Sequence, residues 1–390
     1  MRGSVLLLGV LPASGGTADA GGPQDAGPGD AGPDGGSAAA DAGLDGGVAA
    51  DCEGLVPADA GRPLFADLDT GNPAQICSAA PPDGTGTLPL RVGTFDANGV
   101  QRTAWSFVRA ADGARISSHA YPAGTGPTVL IPQPQGFTGV EPVAADPPRL
   151  DLHGINAAGD DFATARTDVA ALVPDPSGGV VGFALTRARA TFTLRFERFD
   201  AGGNLVASAV AATGNTAAPD QPVPFVAGVS VRGDTLLVFG PPDRPCGAVW
   251  LDRGGSAVSP VFRPSLCRIR ALRPLVDGAL AVEGEDQDRN GFIAASVAPR
   301  AARFGDAPAW LAGARLRELF LLPRGRGYAL RRQGPGARLE LFSPAGSRCG
   351  ELATPGLDDG PFLVGRDGTL VEQDLTGQAC SFRWHPALFR

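Results

Sequence analysis

Turns that contain glycine recur along most of this 390-residue chain in two interlocked series. The first series falls at Gly136, Gly179, Gly233, Gly278, Gly325 and Gly368, with steps of 43 to 54 residues. The second follows it by 21 to 24 residues, at Gly159, Gly203, Gly255, a turn near Pro299 that lacks glycine, and Gly346. An aspartate followed by glycine, as in residues 199–203, is the chemistry of a β-hairpin turn. The period therefore indicates a repeated unit built from hairpins.

Short apolar or alternating segments between these turns, such as residues 180–185 and 193–199, predict β-strands. Four strands in about 46 residues is the size of a β-propeller blade, and the body of the chain resembles that architecture. We therefore predict an all-β fold of six or seven four-stranded blades over residues 52–390. The first glycine series would mark the turn between the first two strands of a blade, and the second the turn between the last two. Tandem β-sandwiches are the alternative, because they also contain many short strands.

No named propeller subfamily fits the sequence. The Gly-His and Trp-Asp pair of WD repeats and the paired glycines with Tyr and Trp of kelch blades are both missing. The four tryptophans, Trp105, Trp250, Trp310 and Trp384, follow no blade period, and we expect them to be core aromatics packed between blades. The resemblance therefore implies an architecture and no activity.

The last blade ends one strand short, because the chain stops 22 residues after Gly368. Its third strand is expected at 380–385, so the fourth must come from the N-terminal part and close the ring. Candidates for this strand are residues 64–68 and 88–92. Because Gly99, Gly113 and Gly124 are too close together for the period, the sequence does not decide between six and seven blades.

The N-terminal region predicts export. Residues 1–20 read as a signal peptide, with an apolar run at 5–11 and the small-x-small pattern Ala18-Asp19-Ala20. Residues 21–51 form a low-complexity acidic linker of Asp-Ala-Gly units, which resembles the spacers of bacterial surface proteins and should remain disordered. No cysteine precedes Cys52, so a lipid anchor is not supported, and no later apolar run is long enough for a transmembrane helix. We expect a secreted, periplasmic or cell-surface protein.

Six cysteines in an exported chain predict disulfide bonds. Cys246 and Cys267 fall at the same end of neighbouring strands of one blade, which predicts their pairing. Order along the chain suggests Cys52 with Cys77 and Cys349 with Cys380. The turn phase places Cys349 and Cys380 near opposite ends of their blades, so a bond from Cys380 to Cys52 or Cys77 is the alternative.

The sharpest chemical motif is a possible calcium loop at residues 286–292, between the second and third strands of a blade. Asp286, Asp288 and Asn290 supply alternate oxygen ligands, Gly291 supplies a bend, and Phe292 follows with a backbone carbonyl. The twelfth place of an EF-hand count is valine rather than glutamate, so a plain polar hairpin turn is the alternative. Glu283 and Glu285 are further candidate donors, and a bound ion would stiffen the loop.

Several functions are excluded or disfavoured by composition. The chain contains no lysine, which excludes a Walker-A loop, a Schiff-base lysine and a catalytic lysine. Residues 52–390 hold 34 acidic residues against 32 arginines, so no basic field favours nucleic acid.

The three histidines, His119, His153 and His385, lie in no hydrolase or zinc motif, and we expect them to be exposed to solvent or hydrogen-bonded within the fold. We expect the arginines of residues 315–338 to be scattered over both faces of a blade.

These observations predict an exported bacterial binding or structural module at the cell envelope, in preference to an enzyme, with an envelope protein or glycan as partner. We expect a monomer that binds no nucleic acid and whose only candidate cofactor is structural calcium. The alternative is a metal-dependent propeller enzyme, such as a lactonase or a glycan-cleaving hydrolase. It would need several Asp, Glu or His side chains converging at one mouth of the channel.

Overall fold

The computed structural model describes residues 6–7, 50–57, 61–68, 75–145, 148–216, 223–240, 246–285, 291–332, 338–353, 362–373 and 380–389. Within these residues the chain forms seven β-sheets and only short 3-10 helices, at Ala50–Cys52, Ala309–Leu311, Leu316–Glu318 and Pro323–Gly325. No helix among them is long and apolar enough to cross a membrane. The all-β prediction is confirmed.

The strands follow one another blade by blade. Strands β1 (Leu6–Leu7) and β2 (Leu64–Asp67) precede blade 1, which consists of β3 (Ile76–Ala79), β4 (Thr87–Phe95), β5 (Gln101–Arg109) and β6 (Arg115–Ala120). Blade 2 consists of β7 (Val129–Pro132), β8 (Phe137–Ala145), β9 (Pro148–Ile155) and β10 (Asp161–Thr167). Blade 3 consists of β11 (Ala171–Pro174), β12 (Val180–Ala188), β13 (Thr191–Phe199) and β14 (Leu205–Asn215).

The remaining blades repeat the pattern. Blade 4 contains β15 (Phe225–Val229), β16 (Thr235–Phe239) and β17 (Gly247–Leu251), and residues 257 and 262 bridge to β17 where a fourth strand would lie. Blade 5 contains β18 (Ile269–Pro274), β19 (Leu280–Glu285), β20 (Gly291–Val297) and β21 (Gly305–Asp306). Blade 6 contains β22 (Leu319–Leu321), β23 (Tyr328–Arg332), β24 (Arg338–Phe342) and β25 (Arg348–Ala353), and blade 7 contains β26 (Phe362–Val364), β27 (Leu370–Gln373) and β28 (Ser381–His385).

Seven apolar clusters show that the sheets form a closed ring. Each cluster joins two consecutive blades, and one of them joins blade 7 back to blade 1 through residues such as Trp384 and Leu90. Every sheet therefore buries both of its faces against neighbours, whereas sandwich sheets pack in isolated pairs. The structure is a seven-bladed β-propeller, and the sandwich alternative is wrong. Trp105, Trp250 and Trp384 are buried, as expected of core aromatics.

The strands of each blade are called A to D from the channel outward, because first strands of neighbouring blades contact one another. All ten glycines of the two series have positive φ, between 68° and 93°, so they adopt the left-handed conformation that favours glycine. The turn without glycine uses Arg300 at φ 59°. The period failed near the N-terminus because the A–B turn of blade 1 lies at Gly86, while Gly99 and Gly113 form its next two turns.

Gly136→Ala is expected to destabilise the protein much more than Gly99→Ala, although both glycines have φ near 75°. A Cβ atom at position 136 would overlap the carbonyl oxygen of Ile155, whereas one at position 99 has no atom within 4 Å. Gly99→Ala should therefore cost only the left-handed backbone strain, about 1 to 2 kcal/mol. Urea denaturation of both variants checks this, and equal losses of stability would contradict the steric argument.

The N-terminal strand β2 closes the ring. Residues 64–67 pair antiparallel with 381–384 of β28 and supply the fourth strand of blade 7. The other candidate, residues 88–92, lies instead in β4, the second strand of blade 1. Closure covers the edge of β28 that the last blade would otherwise leave open.

Three disulfide bonds are present, and none of the six cysteines is free. Cys246–Cys267 is confirmed, with Cα atoms 5.7 Å apart. The pairing by chain order is wrong, because Cys77 bonds to Cys380 and Cys52 bonds to Cys349. Ring closure is the physical reason for Cys77–Cys380, the alternative stated above, because it places blade 1 beside blade 7. Cys52 precedes blade 1 and bonds to β25 of blade 6.

The predicted leader and linker lie almost wholly outside the described residues. Only β1 of the leader is described, and it pairs in parallel with Ala171 and Leu172 of β11, at the inner edge of blade 3.

Candidate functional site

The predicted calcium loop connects β19 to β20 of blade 5, in the B–C position expected from the turn phase. Asp286, Asp288 and Asn290 lie outside the described residues, and Phe292 lies in β20 with about a third of its surface exposed. Both extra candidate donors contact other groups of the protein. A carboxylate oxygen of Glu283 accepts a hydrogen bond from the Leu316 amide at 2.7 Å, and Glu285 lies 3.5 Å from Arg270. The calcium site remains a prediction.

The A–B and C–D turns lie on one face of the ring, since successive antiparallel strands reverse direction. Around the channel on this face, polar side chains connect blades 1 to 5 in succession. The Gly136 amide of blade 2 donates to Asp83 of blade 1 at 2.6 Å. In the next pair of neighbouring blades, the Gly179 amide of blade 3 donates to Gln133 of blade 2, also at 2.6 Å. Each side chain begins its own A–B turn and reaches the left-handed glycine of the next.

Charged pairs continue these connections around the ring. Arg198 of blade 3 contacts Asp175 at 2.9 Å and donates to the Gly233 carbonyl of blade 4 at 2.9 Å. Asp234 of blade 4 pairs with Arg300 of blade 5 at 2.9 Å. Arg198, Asp175 and Asp234 are buried, whereas more than half of the Arg300 side chain is exposed. The Arg198–Gly233 and Asp234–Arg300 contacts each join two blades.

Arg366 crosses the channel mouth on this face. It belongs to the A–B turn of blade 7, yet its guanidinium donates to the carbonyls of Pro132 in blade 2, at 3.0 Å, and of Pro176 and Asp175 in blade 3, at 3.1 and 3.3 Å. Its backbone amide donates to Pro82 of blade 1 at 3.0 Å. One residue thus joins four blades. Burial lowers the pKa of Arg366, partly offset by attraction from Asp175.

The neighbouring carboxyl group, Asp367, is also buried at the seam between blades 7 and 1. Burial raises its pKa, although hydrogen bonds from Thr369 oppose this shift. Its oxygens accept from the Thr369 amide at 3.0 Å and from the Thr369 hydroxyl at 2.6 Å. The side chain therefore stabilises its own turn.

A second polar cluster lies between blades 1 and 2, away from the channel. His153 of β9 is 7% exposed and sits between two carboxylates, with Nε2 3.0 Å from Glu141 and Nδ1 3.2 Å from Asp161. The Tyr121 hydroxyl, from blade 1, donates to Asp161 at 3.2 Å. Burial and the nearby carboxylate of Asp161 raise the pKa of Tyr121, so this phenol remains protonated. The cluster ties the outer halves of the two blades together.

The pKa of His153 is raised above its usual value of 6.5. Burial opposes the charged form, but hydrogen bonds and attraction from Asp161 and Glu141 outweigh it. A raised pKa in the folded state stabilises the fold below the unfolded-state value, and this contribution is lost as the pH rises through the folded-state pKa.

His153→Gln is therefore expected to lower the free energy of unfolding at acidic pH and to change it much less at alkaline pH. The measurement is urea denaturation at intervals from about pH 5 to pH 9. His119→Gln is the matched control, since His119 lies 3.8 Å from Asp160 and a third of its side chain is exposed. Parallel pH profiles for the wild type and His153→Gln would contradict the assignment.

The other candidates from the sequence are dispersed. His385 lies 3.6 Å from Glu372 inside blade 7. Of the arginines between residues 315 and 338, Arg326 donates to the Gly54 carbonyl at 2.9 Å and Arg331 lies 5.2 Å from the ring centre of Phe362. Arg338 pairs with Glu351 at 2.6 Å. These three arginines therefore contact three separate parts of the protein.

Sequence reasoning missed both the Arg366 contacts and the histidine cluster. The side-chain contacts of Arg366 join residues up to 234 apart, for which no local pattern exists. His153 and its two carboxylates are separated by 8 and 12 positions and meet only through the register of β8, β9 and β10. In the described part of the chain, no group of three or more His, Cys, Asp or Glu residues is arranged to hold a metal ion.

The chain is similar to several solved structures. No protein-family model matches it, and no curated protein matches it in sequence. The β-propeller domain of the Trilobed protease from Pyrococcus furiosus is 10% identical, with 80% of this chain and 95% of that chain covered and a TM-score of 0.47. An acylaminoacyl peptidase from Pyrococcus horikoshii is 9% identical, with coverages of 80% and 52% and a TM-score of 0.48. BamB from Moraxella catarrhalis is 12% identical, with coverages of 83% and 100% and a TM-score of 0.36. At these identities the similarity concerns the fold alone.

Proposed function

We propose that this chain is an exported binding or structural module of the bacterial cell envelope. The observation that carries the proposal is that all six cysteines are paired in three disulfide bonds. Such bonds form and persist in oxidising compartments, whereas cytosolic thiols are kept reduced. The signal-like segment at residues 1–20 and the acidic linker at 21–51 agree with this compartment.

The contacts on the described face of the ring favour a binding or structural role over catalysis. Asp83, Gln133 and Arg366 lie at the channel mouth, and their side chains bond to backbone groups of neighbouring blades, while the Asp175 carboxylate pairs with Arg198 of its own blade. The carboxylate–histidine cluster lies in outer strands of blade 2, where its members contact one another. The polar side chains at the channel mouth are already used in contacts within the ring. We therefore propose that the partner, an envelope protein or a glycan, binds the outer surface of the ring. The metal-dependent enzyme remains the alternative and would need its carboxylates elsewhere.

Cell fractionation combined with thiol alkylation tests the compartment. The full-length chain, expressed in a bacterium with its own N-terminus, should appear outside the cytoplasm and take up alkylating reagent only after reduction. Leu7→Arg, which interrupts the apolar run of the leader, should retain the protein in the cytoplasm with reduced thiols. Six reactive thiols in the wild-type protein, recovered from the cytoplasm, would overturn the proposal.

Calcium binding at residues 286–292 is a separate proposal, supported only by the spacing of Asp286, Asp288 and Asn290. Thermal unfolding should shift to higher temperature with millimolar calcium, and the double variant Asp286→Asn/Asp288→Asn should abolish the shift. An unchanged melting temperature in the wild type would contradict calcium binding and leave the compartment proposal untouched.

A further inference from the structure

The outermost strand of blade 3, β14, differs from the outer strands of the other blades. Charged residues or short length protect most of those edges: β6 contains Arg115, β10 contains Asp161 and Arg166, β25 contains Arg348 and Glu351, and β21 has only two residues. Strand β14 is 11 residues long and contains no charged residue and no proline. Natural β-sheets usually avoid such an edge, because its unpaired N–H and C=O groups can pair with another strand.

The side chains of β14 are exposed as well as apolar. Leu205, Val206 and Val210 are 54%, 57% and 62% exposed, and Ser208 is also exposed between the two valines. Phe162, in the outer strand of blade 2, is 61% exposed and extends this apolar surface beside the start of β14. Large apolar side chains grouped on one exposed edge mark an interaction surface.

Two irregularities limit the part of β14 that can accept another strand. The pairing with β13 shifts register on either side of residues 207–210, where Val206 and Ala211 each have no direct partner. Bulges interrupt regular pairing. The regular part of the edge is therefore short: it runs from Ala207 to Val210 and contains Ser208, while the exposed Val206 lies at the irregularity beside it.

The sequence of this segment is the same in both directions. Residues 206–210 read Val-Ala-Ser-Ala-Val, with Ser208 at the centre. If two copies of the strand pair antiparallel about a two-fold axis at Ser208, Val206 of each lies opposite Val210 of the other. The serines then face each other, and each alanine faces an alanine. A symmetric interface needs a surface that is complementary to itself, and this segment is.

We propose that two copies of this chain associate through the outer edge of β14, so that their third blades join into one continuous antiparallel sheet. The edge carries no charge with which to select a different partner, whereas self-pairing matches every side chain from 206 to 210. This replaces the monomer expected from the sequence. The inference does not depend on the compartment or on the function proposed above.

Sedimentation of the purified full-length chain tests the association. The wild type should shift from monomer to dimer as its concentration rises, with little dependence on salt because no ion pairs are involved. Ser208→Lys places two like charges at the symmetry axis and should weaken dimerisation by about tenfold or more. Ser118→Lys is the matched control, an exposed serine in β6, the outer strand of blade 1, and it should leave dimerisation unchanged.

A cysteine at the symmetry axis tests the register. Ser208→Cys should form a disulfide-linked dimer on mild oxidation, because opposed side chains in an antiparallel pair have Cβ atoms about 5 Å apart. Thr213→Cys, on the same strand, should not, since its two copies would lie about 34 Å apart. A wild-type chain that stays monomeric at its highest soluble concentration overturns the proposal. Equal effects of the two lysine variants, equal cross-linking of the two cysteine variants, or assemblies larger than a dimer also overturn it.

Discussion

Replacing Cys77 and Cys380 with serine is expected to lower the free energy of unfolding by about 4 kcal/mol. Although the two cysteines are 303 positions apart, the Cys52–Cys349 bond remains, so the loop that their bond closes is about 56 residues, 25 from Cys52 to Cys77 and 31 from Cys349 to Cys380. In the folded ring the Cys77–Cys380 bond lies at the seam between blades 1 and 7. Without it, that seam depends on apolar packing and on hydrogen bonds such as Gln373 to the Cys77 carbonyl at 2.6 Å.

The matched control is the double variant Cys246→Ser/Cys267→Ser. That bond spans 21 residues within blade 4 and should contribute about 3 kcal/mol. Guanidinium denaturation of both variants measures the two losses under the same conditions. Limited proteolysis should also cut near residues 58–74 sooner in the Cys77→Ser/Cys380→Ser protein, because strand β2 is then easier to release. If the Cys77→Ser/Cys380→Ser protein loses no more stability than the Cys246→Ser/Cys267→Ser protein, the proposed contribution of the bond between blades 1 and 7 is contradicted.

The second large effect is expected from Arg366→Met, which should cost about 3 kcal/mol. Methionine keeps much of the apolar stem but removes the donors that serve the carbonyls of Pro132, Asp175 and Pro176. Those carbonyls would lose their donor, and an unsatisfied buried polar group is costly. Arg366→Lys should be intermediate, since an ammonium group lacks the planar fork that reaches several acceptors.

Arg109→Met provides the control for Arg366. Arg109 pairs with Asp112 at 2.9 Å, but more than half of its side chain is exposed, so its removal should change stability little. Hydrogen exchange at the Gly136 and Gly179 amides adds a local readout, because both lie in turns next to the Arg366 contacts. If exchange there is unchanged in Arg366→Met, then the arginine does not hold these turns in place.

The turn chemistry allowed most of the fold to be predicted from the sequence. Left-handed glycine at a hairpin is a local requirement, so Gly179, Gly203 and the others could be placed without knowledge of the tertiary structure. The glycine period did not identify blade 1, because its A–B turn at Gly86 precedes two closely spaced glycine turns. The closing strand was left undecided because both candidates are short apolar segments and only the ring geometry separates them.

The polar contacts and two of the three cysteine pairs depend on the closed ring. Order along the chain favoured the wrong partners for those two pairs, and Cys380 with Cys77 was only an alternative. Proximity in sequence favours Cys52 with Cys77, but the ring places Cys77 beside Cys380. Likewise, Arg366 meets its acceptors only because blades 7, 2 and 3 surround one channel. Local patterns predict turns and strands, whereas these contacts follow from topology.

The closing bonds also constrain biosynthesis. Cys52 and Cys77 are made first, and their partners, Cys349 and Cys380, come 297 and 303 residues later. During translation the two early thiols have only each other within reach, so an oxidising environment that acts too soon produces the wrong cross-link. Correct maturation then requires that the Cys52–Cys77 bond be exchanged for the two native bonds after the C-terminal blades have emerged. A thiol-disulfide isomerase would catalyse this exchange.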